Sequence, residues 1–182
     1  MKDLIHNLKI ERPDIPDLES AYTVFEQSIT LAFEEEGISP EETSKDIAHK
    51  KALFLKSVTE ADSDYIFMVA KLYDQVIGTI SYGPCGHEIR VCTNNELDDV
   101  GELGSLYVLP EYQGQGVGSA LINAMLKHLH SMGVEQFCLD CGLKAAQQRW
   151  LRKFGAPYKV AKDYWGEGSD HIVWLCNVKD FV

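Results

Sequence analysis

The fold turns on one stretch, Glu102-Leu103-Gly104-Ser105-Leu106-Tyr107-Val108-Leu109-Pro110-Glu111-Tyr112-Gln113-Gly114-Gln115-Gly116-Val117-Gly118-Ser119. Residues 102–108 read as a strand that Pro110 stops. Residues 117–132 read as an amphipathic helix, with Val117, Leu121, Ala124, Met125, His128 and Leu129 at helical spacing and Gly133 as its stop. Between them, three glycines in five residues let the backbone turn sharply and approach a ligand without side chains in the way. The first amides of the helix have no intrahelical acceptor and sit at the positive end of its dipole, so the turn is a natural cradle for a pyrophosphate. Two nucleotide readings fail on spacing. No lysine follows the glycines as a P-loop requires, and Gly-x-Gly-x-Gly in mid-chain is not the Gly-x-Gly-x-x-Gly of a dinucleotide fold.

Upstream, Asp14-Ile15-Pro16 starts a helix in which Leu18, Tyr22, Phe25, Ile29 and Phe33 repeat at helical spacing before Gly37. Ser39-Pro40-Glu41-Glu42 is a capping box for a second helix that sends Ile47, Phe54, Leu55 and Val58 towards a core. Residues 65–70 and 76–82 read as an antiparallel hairpin. Residues 83–99 read as a long, polar, mobile excursion. Downstream come a strand over 134–140, a short helix over 145–154 stopped by Gly155, and two strands near 157–165 and 171–178. Strand-helix-strand in the middle implies one parallel pair, and the flanking hairpins imply antiparallel ones. The expectation is a single mixed α/β domain over residues 1–182, its sheet mostly antiparallel and flanked by about four helices.

Composition narrows the function classes. With 45% apolar and 25% charged residues among 182, the chain can bury a sizeable core. Nothing approaches the roughly 18 apolar residues of a membrane span, and Met1–Asn7 lacks the apolar core of a signal peptide. Five cysteines, an odd number, fit a reducing cytosol. A net charge of −11 argues against a nucleic-acid-binding surface. Residues 1–112 carry 22 acids and 9 bases, whereas residues 113–182 carry 6 acids and 8 bases. Such asymmetry either keeps the protein soluble or lets its first half face something cationic.

Gln113-Gly114-Gln115-Gly116-Val117-Gly118, following Leu106-Tyr107-Val108-Leu109-Pro110-Glu111-Tyr112, resembles the Gln/Arg-x-x-Gly-x-Gly/Ala signature of the GNAT superfamily of acetyl-CoA-dependent N-acetyltransferases. The resemblance extends through the element order from about residue 10 onward. It implies a GNAT-like fold and transfer of acetyl from acetyl-CoA to a small-molecule or peptide amine, with no metal. It implies that backbone groups of Leu106, Tyr107 and Val108 hold the pantetheine arm like an added strand. Amides of Gln113, Gly114, Gln115, Gly116, Val117, Gly118 and Ser119 would wrap the pyrophosphate. Gly104 is the expected place for the bulge that splays this strand from the next. Lys144 stands where many members have an asparagine, and Trp150 where they have an aromatic. Arg149, Arg152 and Lys153 either meet phosphates or form a solvated face.

Acetylation needs a base, because an alkyl amine with a pKa around 10 is mostly protonated at neutral pH. Glu102 is the candidate. It lies on the strand of Val108, sharing a face with Gly104, Leu106 and Val108, and some family members place a catalytic glutamate at this spacing. The alternative is a glutamate that is merely paired or solvated. A backbone amide of Val108 or Leu106 would meet the oxyanion. The tyrosine that often protonates the leaving thiolate in this family falls at Leu151, so Tyr107, Tyr158 or Tyr164 serves, or the thiolate leaves unaided. A binding module that senses acetyl-CoA without turnover is the second reading. Cys138-Leu139-Asp140-Cys141 lies in a strand, where residues three apart sit about 10 Å apart on opposite faces, so it reads as buried packing. Phe67, Tyr82 and Trp165 line a pocket or join the core, and the final strands are a possible homodimer interface.

Overall fold

Tyr73 and Asp74, with φ of +50° and +66°, close a tight hairpin between β2 (Ile66–Leu72) and β3 (Gln75–Gly83). The computed structural model describes residues 7–182, and this hairpin is the spine of the first of two compact units into which the chain gathers. That unit takes the described chain up to Tyr82 together with Ser105–His128. β1 (Leu8–Glu11) adds to β2 antiparallel, and the second half of β4 (Glu102–Val108) follows β3. Two helices cover this sheet. A short 3₁₀ turn at Ile15–Asp17 feeds α1 (Leu18–Glu35), and Ser39 caps α2 (Pro40–Thr59). The Ser39 hydroxyl accepts from the Glu42 amide at 3.2 Å and donates to its carboxylate at 3.0 Å. Phe25, Phe54 and Phe67 meet edge to face in the core. Leu55, expected inside, is 41% exposed. Phe54 takes the inward position, and the next helical residue lies about 100° round the axis.

The second unit comprises Gly83–Gly104 and Leu129–Val182. Its strands run in the order β4-β5-β7-β6, with β5 (Gln136–Cys141) parallel to β4 at Glu102↔Cys138 and antiparallel to β7 (His171–Asn177). β6 (Lys159–Ala161) is only three residues long, far shorter than the strand expected over 157–165. The segment 162–170 turns instead, tied by Gly168 N to Asp163 and Asp163 N to Asp170. The mobile excursion expected at 83–99 is also corrected. It contains a helix, α3 (His87–Thr93), whose Ile89 and Cys92 are buried with Cys85, Leu97, Cys138 and Val173. α4 (Val117–Ser131) begins in the first unit, and α5 (Lys144–Phe154) ends at Gly155 as expected. With five helices among the described residues and seven strands in the order β1-β2-β3-β4-β5-β7-β6, the fold is mixed α/β. The sheet is mostly antiparallel with one parallel pair, as the sequence implies. No helix among those residues is long and apolar enough to cross a membrane.

Candidate active site

In the first unit, the end of β4 is held on all sides. The Val108 carbonyl accepts from the Ser28 hydroxyl of α1 at 2.9 Å and from the Gln113 side-chain amide at 3.0 Å. The next amide, Leu109 N–H, donates to Ile77 of β3 at 2.9 Å. Upstream, the Thr79 hydroxyl donates to the Ser105 carbonyl at 2.8 Å. Ser105, not Gly104, is the irregular residue of the strand, with φ of +48°. A left-handed residue interrupts the two-residue repeat. Burial accordingly alternates as far as Ser105 and lapses after it, so the face expected to run from Glu102 to Val108 is broken there.

The glycine turn then opens outward. A 3₁₀ turn at Pro110–Tyr112 leads into Gly114 and Gly116, whose φ values of +72° and +90° favour glycine. A Cβ on either would meet nothing within 4 Å, so the backbone faces open space. Gln113, Gly114, Gly116 and Ser119 are exposed, while Val117 is buried and anchors the helix start. Ala120 N–H is bonded to the Gly116 carbonyl, leaving the preceding amides of the first turn at the helix's positive end. No acidic residue occupies that turn. The side chains of Gln113 and Gln115 fold back onto the Val108 and Glu111 carbonyls, so what the turn presents is backbone. Outward backbone at the positive end of a helix, with no acid beside it, has the chemistry that suits an anion such as a pyrophosphate.

The second unit carries Glu102. Its Oε2 accepts from the Gly86 amide, at the start of α3, at 2.7 Å. A Cβ on Gly86 would stand 2.8 Å from that oxygen, so glycine there is what lets the carboxylate in. Of the tyrosines considered, Tyr107 packs on Phe25, and Tyr158 donates to Glu96 at 2.6 Å. Tyr164 meets Trp165 edge-on and lies tilted beside His171, and burial followed by neighbouring negative charge pushes its phenol up. Trp150 stacks on Phe154, while Arg149 and Arg152 are exposed. Phe67 is fully buried core, whereas Trp165 is 55% exposed. Cys138 and Cys141 bond to different carbonyls, those of Val100 and Gly101 and that of Leu143, in keeping with separate packing roles.

One constellation escaped the sequence reading. Trp165 Nε1–H donates to His171 Nδ1 at 3.0 Å, and His171 Nε2 lies 2.9 Å from Asp140 Oδ2. A stray histidine and aspartate 31 residues apart give no pattern, and only the β5·β7 register, Cys141↔Ile172, brings them side by side.

The acetyltransferase (GNAT) family model matches residues 23–156, and the chain belongs to that family, as an acyltransferase enzyme. Among solved structures it is similar to a GNAT-family protein from Desulfovibrio desulfuricans, at 22% identity over 94% of this chain and 99% of that one, with a TM-score of 0.70. It is similar also to the PaiA N-acetyltransferase of Thermoplasma acidophilum, solved in complex with coenzyme A (21% identity, 93% and 98% covered, TM-score 0.69). The Escherichia coli ribosomal-protein-S18-alanine N-acetyltransferase shares the fold at 17% identity, with 94% of each chain covered and a TM-score of 0.62. No match was found among curated protein sequences.

Proposed function

We propose that this protein transfers acetyl from acetyl-CoA to a primary amine by direct attack in a ternary complex, as one GNAT-like domain over residues 1–182 working in the cytosol without a metal. The observation that carries the reading is the exposed backbone turn at 113–119 on the N-terminus of α4, placed directly after a strand end pinned at Val108. Leu106, Tyr107 and Val108 take the pantetheine arm, and amides from Gln113 to Ser119 take the pyrophosphate. The coenzyme A bound by the Thermoplasma neighbour supports this choice of donor. Because the Val108 carbonyl is already engaged twice, it is the strand's amides that serve the ligand and the oxyanion. Glu102 is the base. The acidic first half favours a cationic acceptor, and a homodimer through the last strands is compatible with the reading.

Incubation with acetyl-CoA and a panel of amines, followed by mass spectrometry, tests this. An acetylated alkyl amine is the expected product. Tight acetyl-CoA binding without any acetylated product would favour the second reading, an acetyl-CoA sensor, which Leu151 in the usual tyrosine position and Lys144 in the usual asparagine position keep in play.

A further inference from the structure

Trp165 fixes a tautomer. An indole N–H can only donate, and that of Trp165 is aimed at His171 Nδ1. Nδ1 is therefore the acceptor, which leaves Nε2–H to donate to Asp140. The imidazole is 4% exposed. The indole lies against Gly142, where a Cβ would stand 2.7 Å from Nε1, so glycine there is what lets the indole reach the imidazole. A buried histidine satisfied by a carboxylate would be ordinary core. Here, however, the carboxylate at the end of the chain of bonds keeps 22% of its side-chain surface open. Asp140 also lies two residues beyond Cys138, the register partner of Glu102, and so on the same face of β5 as that cysteine. Burial first, and then the neighbouring Cys85 thiol and the carboxylates of Glu102 and Asp140, push the Cys138 thiol upward. By register, Glu102 and Asp140 therefore share one face of the β4·β5 pair.

The other groups around Asp140 are His171 from β7, Cys92 from α3 and Tyr164 from the segment after β6. Glu88 and Lys159 act on the same Cys92 thiol with opposite sign. An alkylammonium must lose two protons to become an amide, one before attack and one as the N–C bond forms. Glu102 accounts for one.

We propose that Asp140 is a second proton-accepting carboxylate of the acetyl transfer, with His171 as the positioning residue that aims it. The proposal rests on the acetyl-transfer reading above. The amine lone pair forms the N–C bond to the thioester carbon, and the C–S electron pair leaves with sulfur. The surplus proton on nitrogen passes to Asp140, which returns it to solvent, and the thiolate takes a proton from solvent.

Asp140→Asn keeps the side chain's shape and an oxygen for His171 Nε2–H. Its kcat for an alkyl amine is expected to fall about 100-fold at neutral pH, with KM for acetyl-CoA unchanged. The deficit should close as pH rises towards the amine's own pKa near 10, where free amine and hydroxide replace the base. His171→Phe should reproduce the deficit. His171→Gln, which offers an amide donor to Asp140 and a carbonyl to Trp165, should restore most of the rate. A wild-type kcat in Asp140→Asn, or a deficit equal at every pH, overturns the proposal. A wild-type enzyme that acetylates no amine at all overturns the acetyl-transfer reading, and the proposal with it.

Discussion

The turn at 113–119 presents backbone amides from one unbroken segment, whereas the β4·β5 pair presents carboxylate oxygens of Glu102 and Asp140 whose partners lie 16 and 31 residues away along the chain. The first is rigid because its own peptide units are pinned, at Val108, Leu109 and the start of α4. The second is rigid because rings and carboxylates lock one another, Trp165 to His171 to Asp140 and Gly86 to Glu102. Backbone dipoles suit a fixed anion and carry no titratable group. Carboxylates move protons. On the proposed reading, binding falls to backbone amides and proton transfer to carboxylates, and mutation should separate the two.

The largest effect is expected at Glu102. Glu102→Gln keeps an oxygen for the Gly86 amide and removes only the charge, so the start of α3 survives while kcat falls about 100-fold or more. Steady-state kinetics beside a circular dichroism melt checks both halves of that statement. A wild-type kcat would reduce Glu102 to a cap for α3.

Why one region was legible in the sequence and the other was not follows from the same contrast. The glycine spacing, the Ser39 capping box and the Tyr73-Asp74 hairpin are local, and each is satisfied within a few residues of chain. α3 carries little local signal because only two of its three apolar residues, Ile89 and Cys92, turn inward while Val91 is exposed, and their packing partners Cys138 and Val173 lie far along the chain. Leu55 was misplaced because helical spacing alone does not say which of two adjacent apolar residues turns inward. The Asp140–His171 pair had no local signature to read. A missing side chain marks Gly104 as the place for an irregularity in β4, whereas the left-handed residue is Ser105, whose carbonyl accepts from Thr79.

Stability probes sharpen the contrast further. In the first unit Lys71 bonds the buried Asp17 at 2.7 Å and Glu11 at 2.9 Å. Burial pulls its pKa down, but the bonds to Asp17 and Glu11 outweigh it, and the ammonium is pushed up to about 12. Lys71→Met leaves Asp17, 3% exposed, without its cation, and should cost about 3 kcal/mol in denaturant titration. Because the folded pKa lies above the unfolded value of 10.5, this pair's contribution is complete below that pH and fades between 10.5 and about 12. Ser28→Ala should cost less, about 1 kcal/mol, because the Val108 carbonyl keeps its bond from Gln113. An unchanged melting temperature in that variant would remove Ser28 from the account of how the strand end is held.

An effect of similar size to that of Ser28→Ala belongs to the second unit, and its sign is set by thiols. Burial pushes Cys176 up to about 11 and pushes Cys85, Cys92 and Cys138 upward as well. Raised thiol pKa values mean that the unfolded chain ionises first, so stability is full below about pH 9 and falls as pH rises beyond it. Cys138→Val should remove about 1 kcal/mol of the fall seen by pH 10. An identical alkaline slope in wild type and variant would show that Cys138 is not its source.

The separation of binding from chemistry is tested most directly by titrating acetyl-CoA calorimetrically into Gly116→Val and Asp140→Asn, with turnover of an alkyl amine followed on the same samples. At φ of +90° a branched side chain strains the turn by about 2 kcal/mol. Gly116→Val should therefore bind acetyl-CoA about 30-fold more weakly. Asp140→Asn should bind it as the wild type does while turning over about 100-fold more slowly. Wild-type affinity in Gly116→Val, or lost affinity in Asp140→Asn, would contradict the account.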